Sequence, residues 1–160
     1  MPKVCDHTSV GLEVWKEENG LRKLLFIERR KYPFGYALPA GHADNDKNYE
    51  TAAIRELEEE VGLQAANLML VYEGRKENPC RREGGTWHYW KIYEAKVLDT
   101  LVRPSIDETK GFLWISIDEI RGLAIKTEAY LKKEIIEEEW EKAPGLEPVW
   151  YELLRELKVL

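Results

Sequence analysis

The fold of this chain is decided by residues 39–63, which read PAGHADNDKNYETAAIRELEEEVGL. From Asn48 onward, apolar residues recur at the spacing that places them on one face of a helix: Ala53, Ile54, Leu57 and Val61. Gly62 supplies the left-handed backbone conformation that ends many helices. We therefore predict a glycine-bearing loop followed by a helix that begins near Asn48, buries this apolar face and ends at Gly62.

The last two turns of this predicted helix carry a cluster of carboxylates. Glu56, Glu59 and Glu60 stand at positions i, i+3 and i+4, so their side chains lie side by side and away from the apolar face. Acidic side chains at the C-terminal end of a helix oppose its dipole and repel one another. Because Mg²⁺ prefers clustered oxygen ligands, we interpret the three glutamates as exposed metal ligands.

Residues 41–63 (the box) resemble the signature of the Nudix hydrolases, G-x5-E-x7-R-E-U-x-E-E-x-G-U, where U is a bulky aliphatic residue. Gly41 opens the box, and residues 55–63 match every fixed position of its second half. Lys47 stands where the signature has its first glutamate. The preceding residues 38–42 also look like the family's loop, with Ala40 in place of a frequent glycine.

The resemblance implies an α/β protein, a Nudix-type α/β/α sandwich with a mixed sheet. Residues 1–160 are expected to form a single domain with a C-terminal helical extension at about 127–160. The expected activity is Mg²⁺-dependent pyrophosphohydrolysis, in which water attacks a phosphorus of a nucleoside diphosphate linked to another moiety. Mn²⁺ is expected to substitute for Mg²⁺. A nucleoside triphosphate is our narrow preference as substrate, with ADP-ribose or a dinucleoside polyphosphate as alternatives.

The resemblance also implies roles for the box residues. Glu56, Glu59 and Glu60 would bind the metal ion, together with the backbone carbonyl of Ala40. Arg55, Glu56 and Glu59 would be catalytic, with Arg55 orienting the carboxylates.

Two questions about the reaction stay open at this stage. The general base is expected either in the box, at Glu56 or Glu59, or on a later loop, at Asp107 or Glu108. A catalytically weak, nucleotide-binding Nudix protein is the alternative to an enzyme, and Lys47 is its only support.

Candidate substrate-binding residues lie on both sides of the box. Arg30 belongs to the basic cluster 29–31, and Tyr36 belongs to the aromatic turn that follows it. His88 lies in a strand rich in aromatic residues, after the basic, glycine-containing loop 74–86 that carries Arg81 and Arg82. Arginine is suited to phosphate and aromatic rings are suited to a base. A solvated or packed side chain is the competing interpretation for each of these residues.

Composition narrows the class of protein. The chain has 160 residues, 44% of them apolar and 34% charged, which is typical of one soluble globular domain. Its net charge of −6 argues against general affinity for nucleic acids. An apolar run of membrane-spanning length and a signal-peptide pattern are both lacking, so a cytoplasmic protein is expected. Cys5 and Cys80 are far apart in the sequence, and we expect them to be reduced thiols without a chemical role.

Periodicity and turn residues predict the remaining elements. Strands are predicted at 7–15, 21–29, 67–73, 87–97 and 112–115, with Asn19-Gly20 turning the first hairpin. A capping box at Ser116 and Glu119 predicts a short helix to Leu123. Thr127 is predicted to cap a long helix that extends to about Lys142, and a last amphipathic helix is predicted at 148–159. These C-terminal helices are expected either to cover the sheet or to meet a second subunit in a homodimer.

Overall fold

The computed structural model describes residues 3–160. Its strands in chain order are β1 (Thr8–Glu13), β2 (Trp15–Glu18), β3 (Leu21–Arg29), β4 (Tyr36–Ala37), β5 (Ala40–Gly41), β6 (Ala65–Lys76), β7 (His88–Val97) and β8 (Thr109–Ser116). Its helices are α1 (Tyr49–Val61), α2 (Ile117–Leu131), α3 (Glu137–Lys142) and α4 (Pro148–Glu156).

The strands form two sheets. One sheet has the order β5-β1-β7-β6, in which β1 runs parallel to β7 and antiparallel to β5. In the other sheet, β3 pairs with β2, β4 and β8, always in antiparallel orientation. Helix α1 packs on β1 and β5, whereas α2 packs against α4 and β8. The predicted α/β architecture with a mixed sheet and flanking helices is confirmed.

Local sequence explains the first hairpin. Asn19 and Gly20 have φ angles of 53° and 77°, as the predicted tight turn requires. The turn sets the register of β2 and β3 by pairing Glu18 with Leu21. The long strand β3 then carries the buried core residues Leu24, Leu25, Phe26 and Ile27.

Helix α1 begins and ends where the sequence predicts. The Asn48 side chain accepts a hydrogen bond from the Thr51 amide at 2.8 Å, and Gly62 has a φ of 69°. The buried face differs from the prediction at one position, because Ile54 is 46% exposed. The buried residues of α1 are Ala52, Ala53, Leu57, Glu60 and Val61. The core-facing side of the helix is therefore centred nearer Ala53 and Leu57 than the apolar pattern indicated.

The prediction of a helix capped by Thr127 was wrong. Helix α2 continues from the confirmed capping box at Ser116 through to Leu131, and Thr127 lies inside it. The Thr127 hydroxyl is buried and hydrogen-bonds to the carbonyl oxygens of Leu123 and Leu146, so it serves tertiary packing instead of a helix start. The chain turns after α2, where Lys133 has a φ of 62°, and the short helix α3 follows.

The last helix covers the sheet of its own chain. Trp150 on α4 is 1% exposed and lies so close to Gly11 of β1 that a side chain at position 11 would overlap the indole. The other buried residues of α4 are Val149, Leu153 and Leu154.

The alternative role of the C-terminal helices, contact with a second subunit in a homodimer, stays a prediction. Within residues 3–160, the helices are too short or too polar to span a membrane.

Candidate active site

A cavity of about 620 Å³ opens beside the C-terminal half of α1. The box contributes Ala40, Gly41, Arg55, Glu56, Glu59 and Glu60 to its lining. The structure therefore brings every predicted catalytic and metal-binding residue to one concave surface.

The three predicted metal ligands differ in burial. Glu60 is 8% exposed, whereas the side chain of Glu59 is 61% exposed and that of Glu56 is 14% exposed. The expectation that all three would be exposed was wrong, because the end of α1 is enclosed by the cavity wall. Burial raises the pKa of Glu56 to about 7, against the opposing effect of Arg55. Burial and the neighbouring Glu56 also raise the pKa of Glu60 well above its usual range.

Arg55 organises these carboxylates. Its Nη1 donates to Glu56 Oε1 at 2.9 Å and to Glu59 Oε2 at 3.1 Å. Its Nη2 donates to the His42 carbonyl oxygen at 2.9 Å, and its Nε donates to Asp46 Oδ2 at 2.8 Å. The guanidinium thus joins the loop before α1 to two glutamates of the helix, which fits the orienting role that was predicted for it.

Lys47 takes no part in this network. It is exposed and makes no ion pair with any residue between positions 3 and 160. Asp46, the residue before it, supplies the carboxylate that meets Arg55. The departure of this box from the signature is therefore compensated one position earlier, at a residue that the sequence analysis did not single out.

The box loop approaches the carboxylates closely. A side chain at Gly41 would overlap the Glu56 carboxylate and force it out of its present position. The backbone of Ala40 lies near the Glu60 carboxylate and opposes the rise in its pKa. The three carboxylates offer a cluster of oxygen atoms at the cavity wall, which fits a hard divalent cation such as Mg²⁺ or Mn²⁺.

The three predicted substrate-binding residues lie in different places. His88 is buried and lines the cavity. Arg30 is exposed and donates to the Thr109 carbonyl oxygen at 3.2 Å, and the Tyr36 hydroxyl donates to Glu28 at 3.1 Å. Neither of these two is among the described residues that line the cavity.

Charged residues outside the box also line the cavity. The basic ones are Lys3, Arg29, Arg81 and Arg82. Asp107 and Glu108, the later candidates for the general base, also line the cavity. Arg29 and the buried Glu147, which lie 3.9 Å apart, were missed by the sequence analysis. Arg29 was visible only as a neighbour of Arg30, since strand alternation alone does not say which of the two faces inward.

The structure brings together the two cysteines that are far apart in the sequence, and both are free thiols as predicted. Cys5 and Cys80 converge with His42 and His88, and the ligand atoms of these four residues all lie within 4.8 Å of one another. Residue spacing does not predict this cluster, because the four residues come from separate segments.

Comparison with known proteins decides the family. A family model described as the NUDIX domain matches residues 6–138. The chain belongs to the Nudix family. It is 30% identical over 111 residues to the asymmetrical bis(5'-nucleosyl)-tetraphosphatase of Rattus norvegicus, covering 68% of this chain and 74% of that protein. The enzyme of the same name from Sus scrofa is 29% identical over 126 residues, which cover 78% of this chain and 76% of that protein. This Nudix protein is thus a hydrolase of phosphorus-containing anhydrides.

Solved structures show the same fold. An Ap4A hydrolase from C. elegans in a binary complex has a TM-score of 0.61 at 22% identity, covering 76% of this chain and 88% of that chain. The MutT protein of Methanosarcina mazei has a TM-score of 0.66 at 16% identity, covering 98% and 94%. The Nudix domain of Shewanella oneidensis NrtR, complexed with ADP ribose, has a TM-score of 0.61 at 17% identity, covering 76% and 78%.

Proposed function

We propose that this Nudix hydrolase cleaves bis(5'-nucleosyl) tetraphosphates asymmetrically, in a reaction that depends on Mg²⁺. The observation that carries the substrate is the 30% identity to the rat tetraphosphatase over 74% of that protein. This relationship favours a dinucleoside tetraphosphate over the nucleoside triphosphate that the sequence analysis preferred.

The donor set of the box supports the metal. Glu56, Glu59, Glu60 and the carbonyl oxygen of Ala40 would hold Mg²⁺, which neutralises phosphate charge and lowers the pKa of a bound water. The metal would also reduce the repulsion between protein and substrate, because a protein of net charge −6 and a polyphosphate are both negatively charged.

The residues of the chain itself would hold the substrate and orient the site. Arg29 at the end of β3 and Arg81 and Arg82 in the loop before β7 line the cavity and can bind phosphate oxygens. Arg55 keeps Glu56 and Glu59 in place through bonds of 2.9 and 3.1 Å. Positioning of this kind is a large part of phosphoryl-transfer catalysis, in which the protein does little covalent chemistry.

The proposed reaction consumes one water molecule. The water oxygen forms a bond to one phosphorus while the bond from that phosphorus to a bridging oxygen breaks. Asymmetric cleavage of a four-phosphate bridge yields a nucleoside monophosphate and a nucleoside triphosphate. The candidates for accepting the proton of the attacking water are Glu56, Glu59, Asp107 and Glu108, all of which line the cavity.

A substrate panel tests this function. The purified protein is incubated with diadenosine tetraphosphate, ATP and ADP-ribose at equal concentration, with Mg²⁺ or Mn²⁺ and with EDTA. We expect the highest kcat/KM for the tetraphosphate and loss of activity in EDTA. A higher kcat/KM for ATP or ADP-ribose would reject the proposed substrate class, and unchanged rates in EDTA would reject the metal dependence.

A further inference from the structure

The cluster of Cys5, His42, Cys80 and His88 (the thiol–imidazole cluster) lies at the edge of the cavity, outside the carboxylate site. Cys5 Sγ lies 3.4 Å from His88 Nε2 and 3.6 Å from His42 Nε2. Cys5 and His88 are buried, and the other two residues are half-buried. We propose that this cluster is a structural zinc site that joins the wall of the active-site cavity to the box loop.

The two sulfur–nitrogen distances at Cys5 fit tetrahedral zinc. Zn–S bonds of about 2.3 Å and Zn–N bonds of about 2.0–2.1 Å at a tetrahedral angle place a sulfur and a nitrogen ligand about 3.6 Å apart. The two sulfur–nitrogen distances at Cys5 are 3.4 and 3.6 Å. A thiol bond to one imidazole and an N–H bond from the other would give the same two contacts, so the convergence of all four ligand atoms within 4.8 Å is what points to a metal.

Backbone groups support both sulfur atoms in the same way. The His7 amide donates to Cys5 Sγ at 3.3 Å, and the Arg82 amide donates to Cys80 Sγ at 3.4 Å. In each case the donor is two residues after the cysteine. Such amides stabilise negative charge on sulfur, and thiolate is the form that binds zinc.

The backbone of the turn that carries Cys80 packs closely against its sulfur atom. The Cys80 amide donates to the Gly85 carbonyl oxygen at 2.8 Å, and a side chain at Gly85 would overlap Cys80 Sγ. The same turn pairs with the N-terminal segment, since the Cys5 amide donates to the Glu83 carbonyl oxygen at 2.8 Å. The geometry of both cysteines is therefore set by their backbone.

The ligand types separate this site from the carboxylate site. Two sulfurs and two imidazoles suit Zn²⁺ and are poor ligands for Mg²⁺. The four residues would fill all four tetrahedral positions around zinc, which is the arrangement of structural and not of catalytic zinc. The inference therefore concerns a second metal ion with a different role.

A zinc ion here would be linked to Arg55 of the box through His42. The imidazole of His42 belongs to the cluster, and its carbonyl oxygen accepts the bond from Arg55 Nη2 at 2.9 Å. Cys80 lies next to Arg81 and Arg82, which line the cavity. Zinc would thus hold the basic loop, the N-terminal segment and the loop that supports Arg55 in one arrangement.

The test measures metal content in the full chain. The protein is expressed with added zinc, purified under reducing conditions and analysed by mass spectrometry of the elements. We expect about one zinc ion per chain, resistant to excess Mg²⁺ and absent from Cys80→Ser. His7→Asn is the matched control, because His7 stacks on Trp87 outside the cluster, and it should retain zinc.

Cobalt provides a readout that does not need a variant to fold. Wild-type protein reconstituted with Co²⁺ should show the intense visible bands of tetrahedral cobalt and a near-ultraviolet thiolate charge-transfer band. Several outcomes would overturn the proposal: wild-type protein that binds no zinc after reduction, a Cys5–Cys80 disulfide in place of metal, zinc retained in Cys80→Ser, or cobalt without the charge-transfer band. Zinc content is independent of the substrate, so failure of the proposed hydrolysis would leave this result unchanged.

Discussion

The Nε atom of Arg55 donates to the Asp46 carboxylate at 2.8 Å, although the box signature places its glutamate at position 47. Lys47 itself is exposed to solvent. The arginine therefore keeps a carboxylate partner in the loop before α1 and does not meet the lysine. This arrangement explains how a box with a lysine at that position can still hold its metal-binding face in order.

Asp46→Asn should lower kcat without loss of fold. A hydrogen bond between charged groups contributes about 1.5–3 kcal/mol, and less when half-exposed, so we expect kcat to fall roughly tenfold. Lys47→Glu alone should keep or modestly improve turnover and Mg²⁺ affinity. The double variant should recover most of the activity, because it restores a carboxylate at the signature position. Steady-state kinetics of the three variants checks this. An equal loss of kcat in Asp46→Asn and in the double variant would contradict the compensation.

Glu59→Gln and Glu60→Gln should each reduce metal-dependent turnover by orders of magnitude. Each change removes a ligand charge and keeps the side-chain volume. Glu60→Gln should also raise the Tm of the metal-free protein, because burial disfavours the charged form of Glu60. Circular dichroism and thermal melts establish that the fold is intact. Wild-type turnover in either variant would remove that residue from the site.

Metal binding should release protons near neutral pH. The Glu56 pKa is raised to about 7 in the metal-free protein, so part of the population is protonated at pH 7 and must lose its proton to bind Mg²⁺. Mg²⁺ affinity should therefore fall as the pH is lowered through 7. Calorimetry in two buffers of different ionisation enthalpy measures the protons released, and Glu56→Gln should release fewer.

The same shift predicts how the stability of the metal-free protein depends on pH. A carboxyl whose pKa is higher in the folded state than in the unfolded state favours folding at low pH. That contribution is lost as the pH rises from about 4.5 through 7. The Tm should accordingly fall between pH 5 and pH 8, and it should fall less in Glu56→Gln. An identical slope in both proteins would show that Glu56 does not titrate in this range.

Local signals explain what the sequence could predict. Gly62 and the Asn19-Gly20 turn act through their own backbone, and Asn48 caps an amide only three residues away, so their positions were predicted correctly. The failure at Thr127 has the opposite cause, because its hydroxyl bonds to Leu146, nineteen residues away. The thiol–imidazole cluster was missed for the same reason, since spacing carries no information about residues that only the tertiary fold brings together.

Two arginines test which basic segment meets the substrate, the loop between β6 and β7 or the end of β3. Arg81 lines the cavity, whereas Arg30 bonds to the Thr109 carbonyl oxygen outside it. Arg81→Ala should raise KM for the tetraphosphate several-fold, and the effect should weaken at high salt because it is electrostatic. Arg30→Ala should change KM little. The reverse order of effects would return the substrate site to the position that the sequence analysis assigned to Arg30.

The most direct test of the proposed function is the identity of the products. Diadenosine tetraphosphate is incubated with the wild-type protein and Mg²⁺, and the nucleotides are separated by anion-exchange chromatography at early times. We expect ATP and AMP in equal amounts, with neither formed by Glu60→Gln purified in the same way. ADP as the sole product, or an intact tetraphosphate alongside rapid hydrolysis of ATP or ADP-ribose, would contradict the account.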